Sequence, residues 1–388
     1  MLPPKSGVKP RALVHFIGGA FVGASPQLTY RLFLEALVDK GDVLIVATPF
    51  AIGFEHLRIA DENQFIFDKA LRALRSGGES GGDIPDDLPV YGIGHSMGAL
   101  MHMIIGSRYS LPDRTANILI SFNNKPATDA VPLFTPVVAP GLQNAAPFLK
   151  GLNDSPFLMP LKGVEGQVRA NVPASVKELL PVLDQIEPVF REVADGAAEF
   201  VPKPEDTKSL IRRYYSVRKN LLLRFTDDSI DETGILAGVL TDSSAISETL
   251  DLSIKSLSGD HVRPLKQEFN DLEIPDEFIE PIKQSTDAIS GFADFLGIKA
   301  DENNPLNPLG ALRAGFEQVK TETLKNVDKN VDRNGQGDSQ SVAEEMRVLV
   351  GEIVAWMNLP PRTEAPQSSQ TEDSGDEREQ GTPTVVSE

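Results

Sequence analysis

The residues best suited to chemistry are 94–98, Gly-His-Ser-Met-Gly, which fit the pattern G-x-S-x-G. The apolar run 90–93 precedes them, and the apolar segment 99–105 follows with the character of a buried helix. A strand, a sharp turn and a helix are the setting in which a serine hydroxyl is exposed as a nucleophile. Small residues on both sides of Ser96 permit the strained backbone of such a turn. The pattern predicts that Ser96 is a nucleophile, the alternative being a glycine-rich turn without chemistry.

A serine nucleophile needs a general base, and this base needs an acid that fixes its tautomer. Of the five histidines in the sequence, only His261 follows both Ser96 and a candidate acid, and it comes shortly after a predicted strand. Asp228 lies just beyond the preceding predicted strand and is the first choice for the acid. Asp227 and Asp231 are alternatives. The order serine, acid, histidine is the one expected of an α/β-hydrolase triad.

The same site needs two N–H donors for the oxyanion of a tetrahedral intermediate. The amide of Met97, directly after the nucleophile, is expected to supply one of them. The loop after the first predicted strand is expected to supply the other, from the region of Gly19, Ala20 or Phe21.

Four side chains are candidates for the wall of the pocket around the nucleophile: His95, Phe21, Phe50 and His56. His56 has a second interpretation, as a buried histidine with a purely structural role. The histidines do not cluster at the spacing of metal ligands, and the chain has no cysteine. We therefore expect neither a metal nor an organic cofactor.

Six predicted strands alternate with helical segments along the chain. The strands are 11–17, 42–48, 90–93, 117–122, 220–225 and 251–256, and the first two helices are 26–38 and 59–74. Such alternation predicts an α/β fold, with a mainly parallel sheet and helices on both faces. Ligands of these folds bind beyond the carboxyl ends of the strands, where Ser96 is expected.

The predicted domain organisation is a core interrupted by an insertion. Residues 1–123 form the first part of the core, and residues 220–362 form the second part with a helical extension. Residues 124–219 are predicted to be a helical cap above Ser96, or an inserted subdomain without a role in substrate binding. A capping box at 341–344 predicts the start of a last helix. Residues 363–388 are acidic, and we predict that they are disordered.

Composition narrows the choice of partners. The formal net charge of −19 argues against nucleic acid and against an anionic membrane surface. No stretch is apolar and long enough for a transmembrane helix, and the first twelve residues lack the apolar region of a secretory signal. We therefore predict a soluble intracellular protein, and the sequence does not indicate an oligomeric state.

The residues quoted above resemble the α/β-hydrolase superfamily. More narrowly, residues 10–265 resemble an uncharacterised hydrolase-like family of cyanobacteria and plastids. In addition to residues 94–98, three stretches carry this likeness: 47–50 with 55–56, 121–124 with 129–132, and 225–231. The acidic stretch 225–231 departs slightly from the family pattern, and two early strands of larger superfamily members have no counterpart here. The resemblance implies a photosynthetic organism and a plastid location, but it does not name a substrate.

The sequence thus predicts a serine hydrolase that acts on a carboxylic ester or thioester of a small molecule, with a lipid-like acyl chain as one option. A lyase or transferase would use the same triad. The alternative from another class is a non-catalytic, hydrolase-like scaffold that binds a lipid, a pigment or a protein. The two hypotheses differ in geometry, because only an enzyme requires His261 within hydrogen-bond reach of Ser96.

Overall fold

The computed structural model describes residues 1–4, 8–76, 84–127, 192, 197, 199–266 and 336–361. Six strands in these ranges form one sheet in which every neighbouring pair is parallel. They are β1 (Ala12–Ile17), β2 (Val43–Ala47), β3 (Val90–His95), β4 (Arg114–Ile120), β5 (Lys219–Phe225) and β6 (Asp251–Leu257). Their order is β2-β1-β3-β4-β5-β6, which places β3 between β1 and β4. The predicted α/β-hydrolase-like fold with a six-stranded parallel sheet is confirmed.

Helices cover both faces of this sheet. Those of four or more residues in the described ranges are α1 (Pro26–Thr29), α2 (Arg31–Gly41), α3 (His56–Arg75), α4 (Met97–Arg108), α5 (Pro204–Tyr214), α6 (Thr233–Thr241) and α7 (Gln336–Met357). The helices α2 and α7 pack together on one face, whereas α3, α4, α5 and α6 pack on the other.

The strands β1, β2 and β3 are apolar along most of their length because both of their faces are covered, whereas the edge strand β6 contains no buried residue. All six residues of β1 are buried. Val14 and Phe16 pack in the core beneath α2 and α7, whereas Leu13 and Ile17 point to the opposite face. This alternation follows from the two-residue period of a strand. The central strands are therefore held firmly, and so are the loops at their carboxyl ends.

Two local predictions were wrong, and one helix was not predicted. The single helix predicted over 26–38 is split by Tyr30, whose backbone is not helical and whose side chain is fully buried. The helix α6 was not predicted, since Gly234 and Gly238 lower the helical propensity of a short apolar segment. The helix α7 begins at Gln336, so the capping box at 341–344 lies inside the helix. A capping pattern favours a start but does not stop a helix from extending further back.

Several predictions fall outside the described residues. These are most of the predicted cap, the helical extension between 267 and 335, and the acidic tail 363–388. The predicted insertion does contain one described helix, α5, which packs against α4 and α6 on the face of the sheet. In the part of the chain that the structure covers, no helix is long and apolar enough to cross a membrane.

Candidate active site

Ser96 occupies a strained turn between β3 and α4. Its backbone has φ 54° and ψ −119°, and its amide donates a 2.9 Å hydrogen bond to the carbonyl of Ile120 in β4. A Cβ atom at Gly98 would lie 2.0 Å from the carbonyl oxygen of Ile17, and one at Gly94 would lie 2.4 Å from the carbonyl oxygen of Gly98. The turn therefore requires glycine on both sides, because α4 approaches the strands more closely than any side chain allows.

The three predicted triad residues lie together at the carboxyl edge of the sheet. Nε2 of His261 is 2.9 Å from Oγ of Ser96, and Nδ1 of His261 is 2.8 Å from Oδ2 of Asp228. A carboxylate only accepts hydrogen bonds, so Nδ1–H donates to Asp228 and Nε2 accepts the hydroxyl proton of Ser96. These are the distances that a general base and its orienting acid require.

The acidic turn after β5 brings only one of its three carboxylates to His261. The side chain of Asp228 is fully buried there. Asp231 instead accepts hydrogen bonds from the amide and the hydroxyl of Thr233 at the start of α6, and Asp227 is exposed beside Thr226. Burial by itself raises the pKa of Asp228, but the hydrogen bond and charge of His261, together with further hydrogen bonds that include one from the amide of Ile230, outweigh this effect and lower the pKa. Asp228 is thus held as a carboxylate.

Two further contacts fix the loop that carries His261. The backbone amide of Asp227 donates a 2.9 Å hydrogen bond to the carbonyl of Gly259, which joins the acidic turn to this loop. The guanidinium of Arg263, which is 2 % exposed, donates to the carbonyl of Ser258 and, over 2.8 Å, to the carbonyl of Glu345 in α7. The position of His261 therefore depends on α7 as well as on the sheet.

His95 supports His261 from behind. Its Nε2–H donates a 2.8 Å hydrogen bond to the backbone carbonyl of His261, and its Nδ1 lies 2.7 Å from the hydroxyl of Tyr30. This hydroxyl in turn accepts a 2.7 Å hydrogen bond from the amide of Gly19. Burial lowers the pKa of His95 to about 3, so the ring is neutral and accepts the hydroxyl proton of Tyr30.

This arrangement corrects one predicted role. The Gly19 amide is already engaged by the Tyr30 hydroxyl, so Gly19 does not qualify as an oxyanion donor. Three candidates remain, which are Ala20, Phe21 and Met97. Within the described ranges, the amides of Ala20 and Met97 donate no hydrogen bond. Phe21, the next residue in the loop after β1, has a strained backbone with φ 60°. Strain of this kind is typical of functional sites.

The other predicted pocket residues are divided between two apolar clusters. Phe50 is buried in the cluster that contains Met97. Phe21 packs against Phe54 and Phe200, and the ring of His56 stacks on Phe200 with 4.4 Å between ring centroids. Burial lowers the pKa of His56 to about 4. The structure does not bring His56 or Phe50 into hydrogen-bonding contact with the triad.

One residue at the site was not predicted. The side-chain amide of Asn123 donates a 3.3 Å hydrogen bond to Oγ of Ser96. Asn123 lies three residues beyond the end of β4, the strand next to β3. One signal could have identified Asn123: it is a polar residue just past the end of a strand that neighbours β3.

A second polar cluster is buried beneath α3 and α4, away from the carboxyl ends of the strands. The guanidinium of Arg114 contacts Oδ1 of Asn117 at 3.1 Å and the Nδ1 atoms of His15 and His102 at 3.3 and 3.4 Å. Burial lowers the pKa of Arg114 to about 10 and the pKa values of both histidines well below the ordinary value. Among the described residues, no group of three or more His, Asp or Glu side chains could hold a metal ion.

Comparison with known proteins identifies a family. A family model described as "Protein of unknown function (DUF1350)" matches residues 4–153 and 166–285. No curated protein matches the sequence. The chain is similar in structure to the peroxisomal α/β-hydrolase Lpx1 of Saccharomyces cerevisiae, with 13 % identity, a TM-score of 0.38, and 74 % of this chain and 88 % of that chain covered. It is also similar to MenH of S. aureus, at 13 % identity and a TM-score of 0.36, over 74 % and 96 % of the two chains. The thioesterase domain of the curacin biosynthetic pathway matches at 13 % identity and a TM-score of 0.37, over 66 % and 87 %.

Proposed function

This chain belongs to the DUF1350 family of proteins of unknown function, and we propose that it is a serine hydrolase that cleaves a carboxylic ester or thioester. The observation that carries the proposal is the continuous hydrogen-bonded path from Asp228 through His261 to Oγ of Ser96, with distances of 2.8 and 2.9 Å. A serine on a strained turn, in contact with a histidine that a buried carboxylate orients, is built for nucleophilic attack.

In the first half of the reaction, Ser96 Oγ attacks the carbonyl carbon while His261 Nε2 takes the hydroxyl proton. The resulting imidazolium is stabilised by the carboxylate of Asp228. The oxyanion accepts hydrogen bonds from the amides of Met97 and Ala20, which have no other acceptor among the residues that the structure describes. His261 then gives its proton to the leaving oxygen or sulfur, the bond from carbon to this atom breaks, and an acyl-enzyme remains.

In the second half, water repeats the attack. His261 Nε2 takes one proton from the water, and the water oxygen bonds to the acyl carbon. The intermediate collapses as the bond between the carbon and Ser96 Oγ breaks and Oγ recovers the proton from His261. The products are a carboxylic acid and the alcohol or thiol released earlier, and the enzyme returns to its starting state.

Labelling with a fluorophosphonate probe tests the nucleophile directly. The purified protein should be labelled with one probe per chain, and Ser96→Ala should not be labelled. Ser107→Ala is the matched control, since Ser107 is also buried on α4 but donates its hydroxyl to the carbonyl of Met103. It should be labelled as the wild type is. Labelling that persists in Ser96→Ala would exclude Ser96 as the nucleophile, and a wild type that is not labelled would favour the scaffold hypothesis.

A panel of p-nitrophenyl esters and acyl thioesters with short and long acyl chains tests the substrate class. The proposal requires turnover of at least one of them by the wild type. His261→Gln should lower turnover by about three orders of magnitude or more, because the serine then has no base. Turnover that survives this substitution would exclude His261 as the base.

A further inference from the structure

A second side chain touches the oxygen atom that reacts. Among the described residues, Ser96 Oγ has two side-chain partners, His261 Nε2 at 2.9 Å and Asn123 Nδ2 at 3.3 Å. His261 receives the hydroxyl proton, so the amide of Asn123 donates to a lone pair of the same oxygen. Asn123 is half-buried and therefore partly open to a molecule that enters the site.

The backbone around Asn123 is fixed on both sides. The amide of Ser121 donates a 2.8 Å hydrogen bond to the carbonyl of Leu223 in β5. The Glu232 amide donates to the carbonyl of Phe122 over 2.7 Å, and the Glu232 carboxylate accepts a 2.5 Å hydrogen bond from the amide of Asn124. Glu232 thus holds the residues on either side of Asn123. A side chain placed by such contacts is preorganised, and little conformational entropy is lost when it binds a ligand.

The position of Asn123 relative to the strands indicates which reacting group it contacts. The proposed oxyanion donor Ala20 belongs to the loop after β1, on one side of β3. Asn123 follows β4 on the other side of β3, the side on which Asp228 and His261 follow β5 and β6. The oxygen that leaves the substrate, and the water that later replaces it, must approach Nε2 of His261 on this side.

Formation of the acyl-enzyme weakens the hydrogen bond from the side-chain amide of Asn123 to Ser96 Oγ, so this amide can donate to another acceptor. Oγ of Ser96 becomes an ester oxygen, which accepts hydrogen bonds more weakly than a hydroxyl or water oxygen does. The amide then favours a better acceptor close to Oγ, and the attacking water supplies one. A hydrogen bond from Nδ2 to one lone pair of the water leaves its other lone pair for the acyl carbon and one O–H for His261.

We infer that Asn123 is a catalytic residue that binds the attacking water during deacylation. This inference rests on the proposed hydrolase function. His261 takes one proton from the water, the water oxygen bonds to the acyl carbon, and the bond between this carbon and Ser96 Oγ breaks. Oγ recovers the proton from His261, so Asn123 exchanges no proton and positions the oxygen by one donated hydrogen bond.

Two probes separate the nucleophilic attack by Ser96 from deacylation, the step in which Asn123 acts. A fluorophosphonate expels fluoride and needs no water, so it reports only the nucleophilicity of Ser96. p-Nitrophenyl butyrate releases a leaving group that needs no assistance, so its steady-state hydrolysis reports deacylation. We compare the wild type with Asn123→Ala and with Asn123→Leu, which keeps the size of the side chain without its hydrogen bonds. Asn124→Ala is the structural control, since its side chain donates to the carbonyl of Pro204, not to Ser96.

The expected result is a selective loss of deacylation. Both Asn123 variants should react with the fluorophosphonate within threefold of the wild-type rate. Their steady-state hydrolysis should fall about tenfold, the effect of one lost hydrogen bond, after a burst of p-nitrophenolate that approaches one per chain. Mass spectrometry should then find the butyryl group on Ser96. Asn124→Ala should lose less than threefold in hydrolysis and show no burst.

Three results would overturn the inference while leaving the proposed function intact. They are hydrolysis within twofold of wild type in both Asn123 variants, labelling and hydrolysis that fall in equal proportion, or an equal loss in Asn124→Ala. The last two would assign to this segment a role in supporting Ser96. A wild type that reacts with neither probe overturns the proposed function itself, and the inference about Asn123 with it.

Discussion

The imidazole of His95 donates its Nε2–H to the backbone carbonyl of His261 over 2.8 Å. His95 is the residue directly before Ser96, so the turn that presents the proposed nucleophile also holds the loop that carries the proposed base. The other nitrogen of His95 faces the hydroxyl of Tyr30, which is bonded to the amide of Gly19. A single chain of hydrogen bonds therefore connects the loop after β1 to the loop after β6.

Removal of the Tyr30 hydroxyl breaks this chain. In Tyr30→Phe, the Gly19 amide and Nδ1 of His95 both lose their partner inside the protein. Because buried polar groups without partners are costly, the free energy of unfolding should fall by about 2 kcal/mol. His261 becomes less well placed, so kcat should fall about tenfold with little change in KM. Urea unfolding and steady-state kinetics measure the two effects. A loss of stability with unchanged kcat would mean that these hydrogen bonds support only the fold.

The choice among the three aspartates has its own test. Asp228→Asn keeps the shape of the side chain but removes the charge that stabilises the imidazolium. A loss of about 10³- to 10⁴-fold in kcat is therefore expected, as for the corresponding substitution in serine proteases. Asp231→Asn should retain activity within threefold and lose about 1 kcal/mol of stability, because Asp231 accepts hydrogen bonds from Thr233 at the start of α6. Asp227→Asn should change neither quantity. A loss at Asp231 as large as the loss at Asp228 would contradict this assignment.

The close approach of α4 to the sheet makes a steric prediction. In Gly98→Ala, the new Cβ would lie 2.0 Å from the carbonyl oxygen of Ile17, a backbone atom that cannot move away cheaply. The variant should lose about 3 kcal/mol or more of unfolding free energy, measured by urea titration. Gly238→Ala is the matched control, since a Cβ atom added there in α6 would meet no described residue within 4 Å. It should gain about 0.5–1 kcal/mol from helical propensity. Equal stabilities of the two variants would disprove the steric argument.

Much of the fold could be predicted because its signals are local. The strands β1 to β3 are apolar on both faces, and G-x-S-x-G lies where such a strand meets a buried helix. The choice of His261 as candidate base followed from the order of residues along the chain, since the other four histidines precede every candidate acid. Chain order does not choose among the aspartates. Asp228 is distinguished from Asp227 and Asp231 only by which side chain the turn after β5 directs inward.

What the sequence could not reveal depends on contacts between distant residues. Tyr30 and His95 are 65 positions apart, so the loss of Gly19 as an oxyanion donor follows from packing alone. Asn123 lies in a stretch that marked the family resemblance, but its contact with Ser96 depends on how Glu232 fixes the segment. The helix α6 escaped prediction because burial against β5 compensates for the two glycines within it.

The lowered pKa values of four buried histidines predict that the protein unfolds readily in acid. Burial lowers the pKa of His95 to about 3, that of His56 to about 4, and those of His15 and His102 well below the ordinary value. A histidine in the unfolded chain has a pKa of about 6.5. Below this pH, the unfolded state therefore binds protons at these histidines that the folded state does not bind. The stability is therefore complete above about pH 6.5 and falls as the pH drops toward the folded pKa values. Each histidine contributes a slope of about 1.4 kcal/mol per pH unit, which gives about 5 kcal/mol per pH unit for all four near pH 5.

Urea titrations from pH 8 to pH 5 measure this slope, and His56→Phe assigns one part of it. Phenylalanine preserves the stacking on Phe200, and it removes an Nδ1 atom that has no hydrogen-bond partner among the described residues. The variant should be at least as stable as the wild type at pH 8. Its slope near pH 5 should be smaller by about one proton, so its advantage should grow by about 1.4 kcal/mol for each pH unit below 6. Parallel curves for the two proteins would show that His56 takes up no proton on unfolding and would contradict the low pKa assigned to it.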